Sequence, residues 1–295
     1  MKDRLNSKVG KQLESLVGKS ALRFQPFSKG RVSESVFNTF ILSILAQEGP
    51  CWPYRILQLF WQQWEREENQ SKLKAIGLER PSELTIYKRI QNLAHDGFIR
   101  SLTPSELEKI QGISDRVRER SKVYDLSRRG FAVSWLLSPV RGHDETMMKV
   151  LKRRDPDGTH KMPGARVLWK LMERRKVGYV LRRAFTIGSV RLLSEVEEDE
   201  IEYGISASDL GEDEEDLLWG RYAQHTFSAL LDIINKVETL PQNKRAQYLR
   251  AIGPPERILE ECQETGKMIK EDPDMRESFA IFKQMVIDGA QRLGV

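Results

Sequence analysis

Apolar residues recur at helical spacing along most of the chain. Ser33 suits a helix N-cap, and Phe37, Phe40, Ile41, Ile44 and Leu45 follow three and four apart, which predicts a helix to about residue 47. Gly49 and Pro50 stop it. Pro53 stands where a second helix begins, with Ile56, Leu57, Phe60, Trp61 and Trp64 as its apolar stripe. The polar run 65–74 reads as a loop or a fraying end. Pro81 and Ser82 open a third helix over 83–95, whose buried side is Ile86, Ile90 and Leu93. Gly97 ends it, because glycine takes the left-handed conformation cheaply. A strand starts at Phe98 and Ile99. Thr103, Pro104 and Glu106 form a capping box that starts a short helix to about residue 111. A second strand, KVYDLS at 122–127, alternates, and Ser127 caps a helix with Phe131 and Trp135 inside, ended by Ser138 and Pro139.

Beyond this point the punctuation changes. Pro139, Gly142, the DPDG at 155–158, Pro163 and Gly164 mark a linker. Helices are predicted over 165–185, about 214–237, 242–251, 255–270 and 274–292, the last with Phe279, Phe282, Val286 and Leu293 on one side. There is no internal repeat. The organisation expected is a basic N-terminal arm at 1–30, a winged-helix domain at 31–140, a linker at 141–163 and a helical C-terminal domain at 164–295. The fold class is mainly α with a small β wing.

Composition fits this division. The 295 residues suit about two domains. A hydrophobic share of 39% supports packed cores, and 31% charged residues make the chain charge-rich. The longest apolar stretch, near 40–46, falls far short of the roughly 18 residues of a spanning helix. The first twenty residues lack an apolar signal core. Cys51 and Cys262 give neither a disulfide framework nor metal-ligand spacing, so a reducing cytoplasm is the expected compartment.

Net charge is +5, but it is unevenly placed. Residues 1–150 carry 25 Lys/Arg against 17 Asp/Glu; residues 151–191 carry 12 against 3; residues 192–219 carry none against 12. In the second region Arg166, Lys170 and Arg174 fall on one helix face, and Arg175, Lys176, Arg182 and Arg183 widen it. Such a patch suits a DNA backbone contact, or it neutralises the acidic stretch 195–216. That stretch reads as a solvated loop, with an autoinhibitory mimic of nucleic acid as the sharper alternative.

Three helices, a strand, a long basic loop, a strand and a helix is the order of a winged helix, in which the third helix enters the major groove and the wing reaches the backbone. The exposed side of the third helix offers Thr85, Lys88, Arg89 and Asn92, donors suited to phosphates and base edges. The wing offers Arg116, Arg118, Arg120 and Lys122. The bland alternative is a solvated polar face.

ILSILAQEGP at 41–50, YRIL at 54–57, LTIYKRIQNLAHDGFI at 84–99 and KVYDLSRRG at 122–130 resemble the PadR-like winged-helix regulators over about residues 36–137. The resemblance implies a homodimeric transcriptional regulator that binds double-stranded operator DNA and carries Thr85, Tyr87, Lys88, Arg89 and Asn92 on its recognition helix. Dimerisation is expected through the C-terminal helices, and no catalytic activity is expected. Tyr87 either packs inward against the wing or meets a phosphate. The chain departs from the family in a longer loop at 101–121 and in some 150 residues beyond the match. A protein-interaction scaffold and a replication or plasmid-maintenance factor are the alternative uses of the same fold.

Other chemistry is set aside on spacing. An EF-hand loop from Asp155 would need glycine sixth and glutamate twelfth, where His160 and Arg166 stand. His95, His143, His160 and His225 show no paired helical spacing. Phosphate-loop, GxSxG and HExxH patterns do not occur. No metal, cofactor or membrane is expected. Trp52, Trp61 and Trp64 read as core or dimer surface, and an aromatic cavity among them leaves room for a small-molecule inducer.

Overall fold

In the computed structural model of the chain, the residues described are 32–110, 113, 117, 120–134, 168, 170–172, 178–204, 212–273, 275–277, 280–281 and 284. The arm at 1–30, Arg116, Arg118, Trp135, the linker, Arg166, Arg174, Arg175, Lys176, Phe279, Phe282, Val286 and Leu293 lie outside them. The chain divides into two compact units, Met1–Val150 with Leu193–Glu215, and Leu151–Leu192 with Asp216–Val295. Residues 193–215 thus group with the first unit, although the sequence places them in the C-terminal half.

The first unit is built around α1 (Val32–Glu48). Val36, Phe37, Phe40, Ile41, Leu42, Ile44 and Leu45 are all buried, so apolar residues surround this helix rather than striping one face. That pattern makes it the central element, and α2 (Pro53–Trp64), α4 (Glu83–His95), α6 (Arg128–Ser134) and strand β2 (Tyr124–Leu126) pack on it. Its buried hydroxyls are satisfied locally, as where Thr39 Oγ1 donates to the Ser35 carbonyl at 2.8 Å. Phe60 stacks on Trp64 at 5.7 Å between centroids, and Phe37 and Phe40 pack against both rings. Each such pair contributes about 0.5–1.5 kcal/mol beyond its buried area.

One expectation fails between α2 and α4. The run 65–74 is neither loop nor frayed end but a helix, α3 (Glu67–Ala75). Glu67 and Glu68 in its first turn and Lys72 and Lys74 in its last turn complement the helix dipole. The Asn69 amide donates to the Gln63 carbonyl, and the Gln70 amide to the Trp64 carbonyl at 2.7 Å, which satisfies the open end of α2. In apolar terms Leu73 alone anchors it, so hydrophobic periodicity could not reveal it.

Helix α4 has the predicted bounds. Ser82 Oγ accepts from the Thr85 N–H, and Gly97 at φ +73° closes the other end while the Phe98 N–H reaches the Leu93 carbonyl at 2.9 Å. Strands β1 (Ile99–Ser101) and β2 pair antiparallel, Ile99 opposite Leu126 and Ser101 opposite Tyr124. Between them α5 (Pro104–Lys109) opens on the predicted capping box, complete in both directions. Leu102, Leu107, Ile113 and Val123 form a small core under this loop, with Trp52 against it. A mainly helical fold with one small antiparallel sheet therefore stands.

In the second unit the expected helix at 165–185 is two pieces. Leu168 and 170–172 are helical, and after Gly178 a new helix begins, α7 (Tyr179–Tyr203), whose residues from 193 on group with the first unit and include the acidic residues 195–202 expected in a loop. Glu261 explains the break. Its carboxylate accepts from the Val180 N–H at 2.9 Å, and a Cβ on Gly178 would fall 2.3 Å from it. Leu192, Leu193 and Val196 are buried along α7 past its basic half. Helices α8 (Glu212–Thr239), α9 (Gln242–Ile252) and α10 (Pro255–Glu271) lie within two residues of expectation. Phe227, Leu230, Ile233, Ile258 and Met275 are among the residues of their common core.

Candidate nucleic-acid interface

Helix α4 buries Ile86, Ile90 and Leu93 and turns Lys88, Gln91, Asn92 and His95 to solvent. The expected residues do not all remain available on that surface. Thr85 belongs to the cap: its hydroxyl lies 2.9 Å from Ser82 Oγ. Arg89 is only 17% exposed, and its Nη1 lies 3.4 Å from the Glu34 carboxylate at the start of α1. In the amide orientation that satisfies both neighbours, Asn92 donates to the Lys88 carbonyl at 3.2 Å and accepts from Arg89 Nη2 at 2.5 Å. Glu34 and Asn92 therefore hold Arg89 between them, and Lys88 is the exposed cation of the helix.

Tyr87 is half-buried, and burial, then the neighbouring Glu83 carboxylate and Tyr54, push its phenol above the ordinary value. It shares that end of α4 with two exposed apolar side chains that sequence reasoning passed over, Tyr54 at 58% and Leu84 at 63% exposure. In the wing region Arg120 and Lys122 are exposed. Arg100, another residue passed over, is tied to Glu106 at 2.6 Å. Burial alone would raise the Glu106 carboxyl, but hydrogen bonds from Thr103 and Arg100 outweigh it and hold the group below its usual value.

A further strand-like contact joins the sheet. Cys51 and Tyr124 exchange both backbone hydrogen bonds at 2.9 Å, an antiparallel bridge on the far side of β2 from its β1 partner. No signal in the sequence around Cys51 announces it.

The acidic end of α7 finds partners within the first unit. Asp199 pairs with Arg128 Nη2 at 2.5 Å, where the arginine side chain is 3% exposed, and Glu200 pairs with Arg129 at 3.0 Å. Arg129 also lies over the Phe98 ring at 5.8 Å. Among the described residues of the basic stretch, Lys170 meets Asp272 at 3.0 Å and Arg191 lies 3.5 Å from Asp232. The three tryptophans separate: Trp64 is core, Trp61 lies under Arg80 at 4.3 Å, and Trp52 packs on the wing cluster.

Among the described residues no helix is long and apolar enough to cross a membrane, and no group of His, Cys, Asp or Glu is placed to hold a metal. No protein family, curated protein or solved structure matches the chain in comparison.

Proposed function

We propose that residues 32–134 form a winged helix that binds double-stranded DNA sequence-specifically, and that the chain is a transcriptional regulator of PadR-like type, dimeric through its C-terminal helices and acting by binding alone. The carrying observation is the succession of α4, with Lys88, Gln91, Asn92 and His95 outward, directly into the β1–β2 hairpin, with Cys51 adding a third strand position on β2. In this reading α4 enters the major groove, where Asn92 suits adenine and Lys88 suits guanine or a phosphate. Arg89 steadies Asn92 and α1 in the free protein and reaches a base only by leaving Glu34. Arg120 and Lys122, with Arg116 and Arg118, hold phosphates.

The test is a pair of single variants measured on a selected operator. Asn92→Ala is expected to cost about 1–3 kcal/mol and relax preference at one base pair, and Lys88→Ala to weaken binding. Unchanged binding in both sinks the assignment of α4. Exposed Tyr54 and Leu84 favour a second reading, in which the same face of α4 docks protein inside a larger assembly, at an origin or elsewhere. Loss of a protein partner on Leu84→Ser, with DNA binding intact, would decide for it.

A further inference from the structure

We propose that the second unit carries a phosphate-binding surface centred on Tyr248, formed by Arg183, Lys236 and Lys244, that takes the duplex DNA backbone without reading sequence. Three helices bring these groups together. Lys236 of α8 places its ammonium 6.0 Å from the Tyr248 ring centroid. Burial, with Cys262 and Asp232, raises the Tyr248 phenol, and the Arg183 guanidinium of α7 opposes that rise as the neighbouring cation. Lys244 stands one turn before Tyr248 on α9, and Tyr179 one turn before Arg183 on α7, so each helix presents a ring and a cation on one face. Arg183, Lys236 and Lys244 are exposed, and Arg182 beside them is exposed too.

Gly253 makes room for this arrangement. A Cβ there would fall 2.6 Å from Tyr179 Cδ1, so the ring rests directly on the end of α9. Arg245 does not join the surface, because its guanidinium is turned to the Glu238 and Leu240 carbonyls at 3.1–3.2 Å. Asp232 is the carboxylate beside Tyr248, and it lies 3.5 Å from Arg191. Exposed cations set around tyrosine rings fit phosphate oxygens rather than base edges. The choice of DNA among anionic polymers rests on the reading of α4; the phosphate chemistry does not.

The experiment uses the full chain and a random-sequence duplex, with affinity followed against salt for wild type and for Arg183→Gln with Lys236→Gln. Each phosphate contact contributes about 0.9 to the slope of log affinity against log salt. The double variant is expected to lower the slope by about 1.8, with the ranking of sequences and the unfolding midpoint unchanged. An unchanged slope, in a variant that unfolds like wild type, overturns the proposal. So does a changed sequence ranking. If the double variant misfolds, Lys244→Gln is measured alone and is expected to lower the slope by about 0.9; an unchanged slope overturns the proposal. If wild type binds no duplex at low salt, the reading of α4 and the choice of DNA fail together. Retention on a heparin column then isolates the surface itself: earlier elution of the variant supports a phosphate- or sulfate-binding surface, and equal elution overturns it.

Discussion

Replacing Gly130 by alanine separates helix propensity from packing at the junction of wing and core. Gly130 lies inside α6, where alanine gains about 1 kcal/mol of intrinsic propensity over glycine. The structure opposes that gain. A Cβ at 130 would fall 1.8 Å from the Phe98 carbonyl oxygen, 2.9 Å from its carbon and 3.4 Å from Leu126 Cδ2. The first two atoms are backbone and cannot rotate away. The Phe98 carbonyl also accepts from the Ser127 N–H at 3.2 Å, and the Gly130 N–H donates to Ser127 Oγ at 2.9 Å, so moving either partner strains the turn that starts α6. Overpacking of this kind costs about 1–3 kcal/mol, and displacing backbone places it at the upper end. Net destabilisation of about 1–2 kcal/mol is expected after the propensity gain, read as a lower urea midpoint with an unchanged m-value. A stabilised Gly130→Ala protein would refute the packing of α6 on the strand after α4.

Four further outcomes follow from named contacts. Asp199→Asn should destabilise by roughly 3 kcal/mol in urea unfolding, because it removes the negative charge that Asp199 sets against the buried Arg128 guanidinium, and a loss under about 0.5 kcal/mol would remove the pair from the account. Glu106 has a carboxyl held below its ordinary 4.5, so its stabilising contribution is present above that pH and lost as pH falls through the lowered value; Glu106→Gln should flatten the acid side of the stability profile, and an unaltered profile would contradict the hydrogen-bond count at α5. Burial pushes the Cys262 thiol up to about 12, so at pH 8 the folded protein should react with a disulfide reagent there far more slowly than the unfolded chain, and equal rates would place Cys262 at the surface. Arg89→Ala should lower stability as well as DNA affinity, since it removes the neighbour of Glu34 and Asn92; a variant as stable as wild type would return Arg89 to the free surface.

Much of the first unit is legible because its signals are local and redundant. Ser82, Gly97, Thr103 and Glu106 mark element ends by side-chain or backbone chemistry within four residues, and the structure uses each as read. Helix α3 is missed because its support is electrostatic and comes from amides reaching back to the end of α2, not from an apolar stripe. The break at Gly178 is missed because Glu261, 83 residues further on, supplies the cap. The acidic end of α7 is misread as a loop for the same reason: its partners, Arg128 and Arg129, lie 71 residues away. At the site, sequence spacing finds the exposed face of α4 but not the hold of Glu34 on Arg89, nor the exposure of Tyr54 and Leu84, which depend on how α1 and α2 pack.

Selection of bound sequences from a pool of random duplex DNA, with the full-length protein and with Lys88→Ala as control, tests the central reading most directly. An enriched motif whose half-sites repeat at about one helical turn, lost or degraded in the variant, is the predicted result for a dimer that places α4 in the major groove. Recovery of the same motif by the Lys88→Ala protein at unchanged affinity, or recovery of no motif by wild type at low salt, would contradict it.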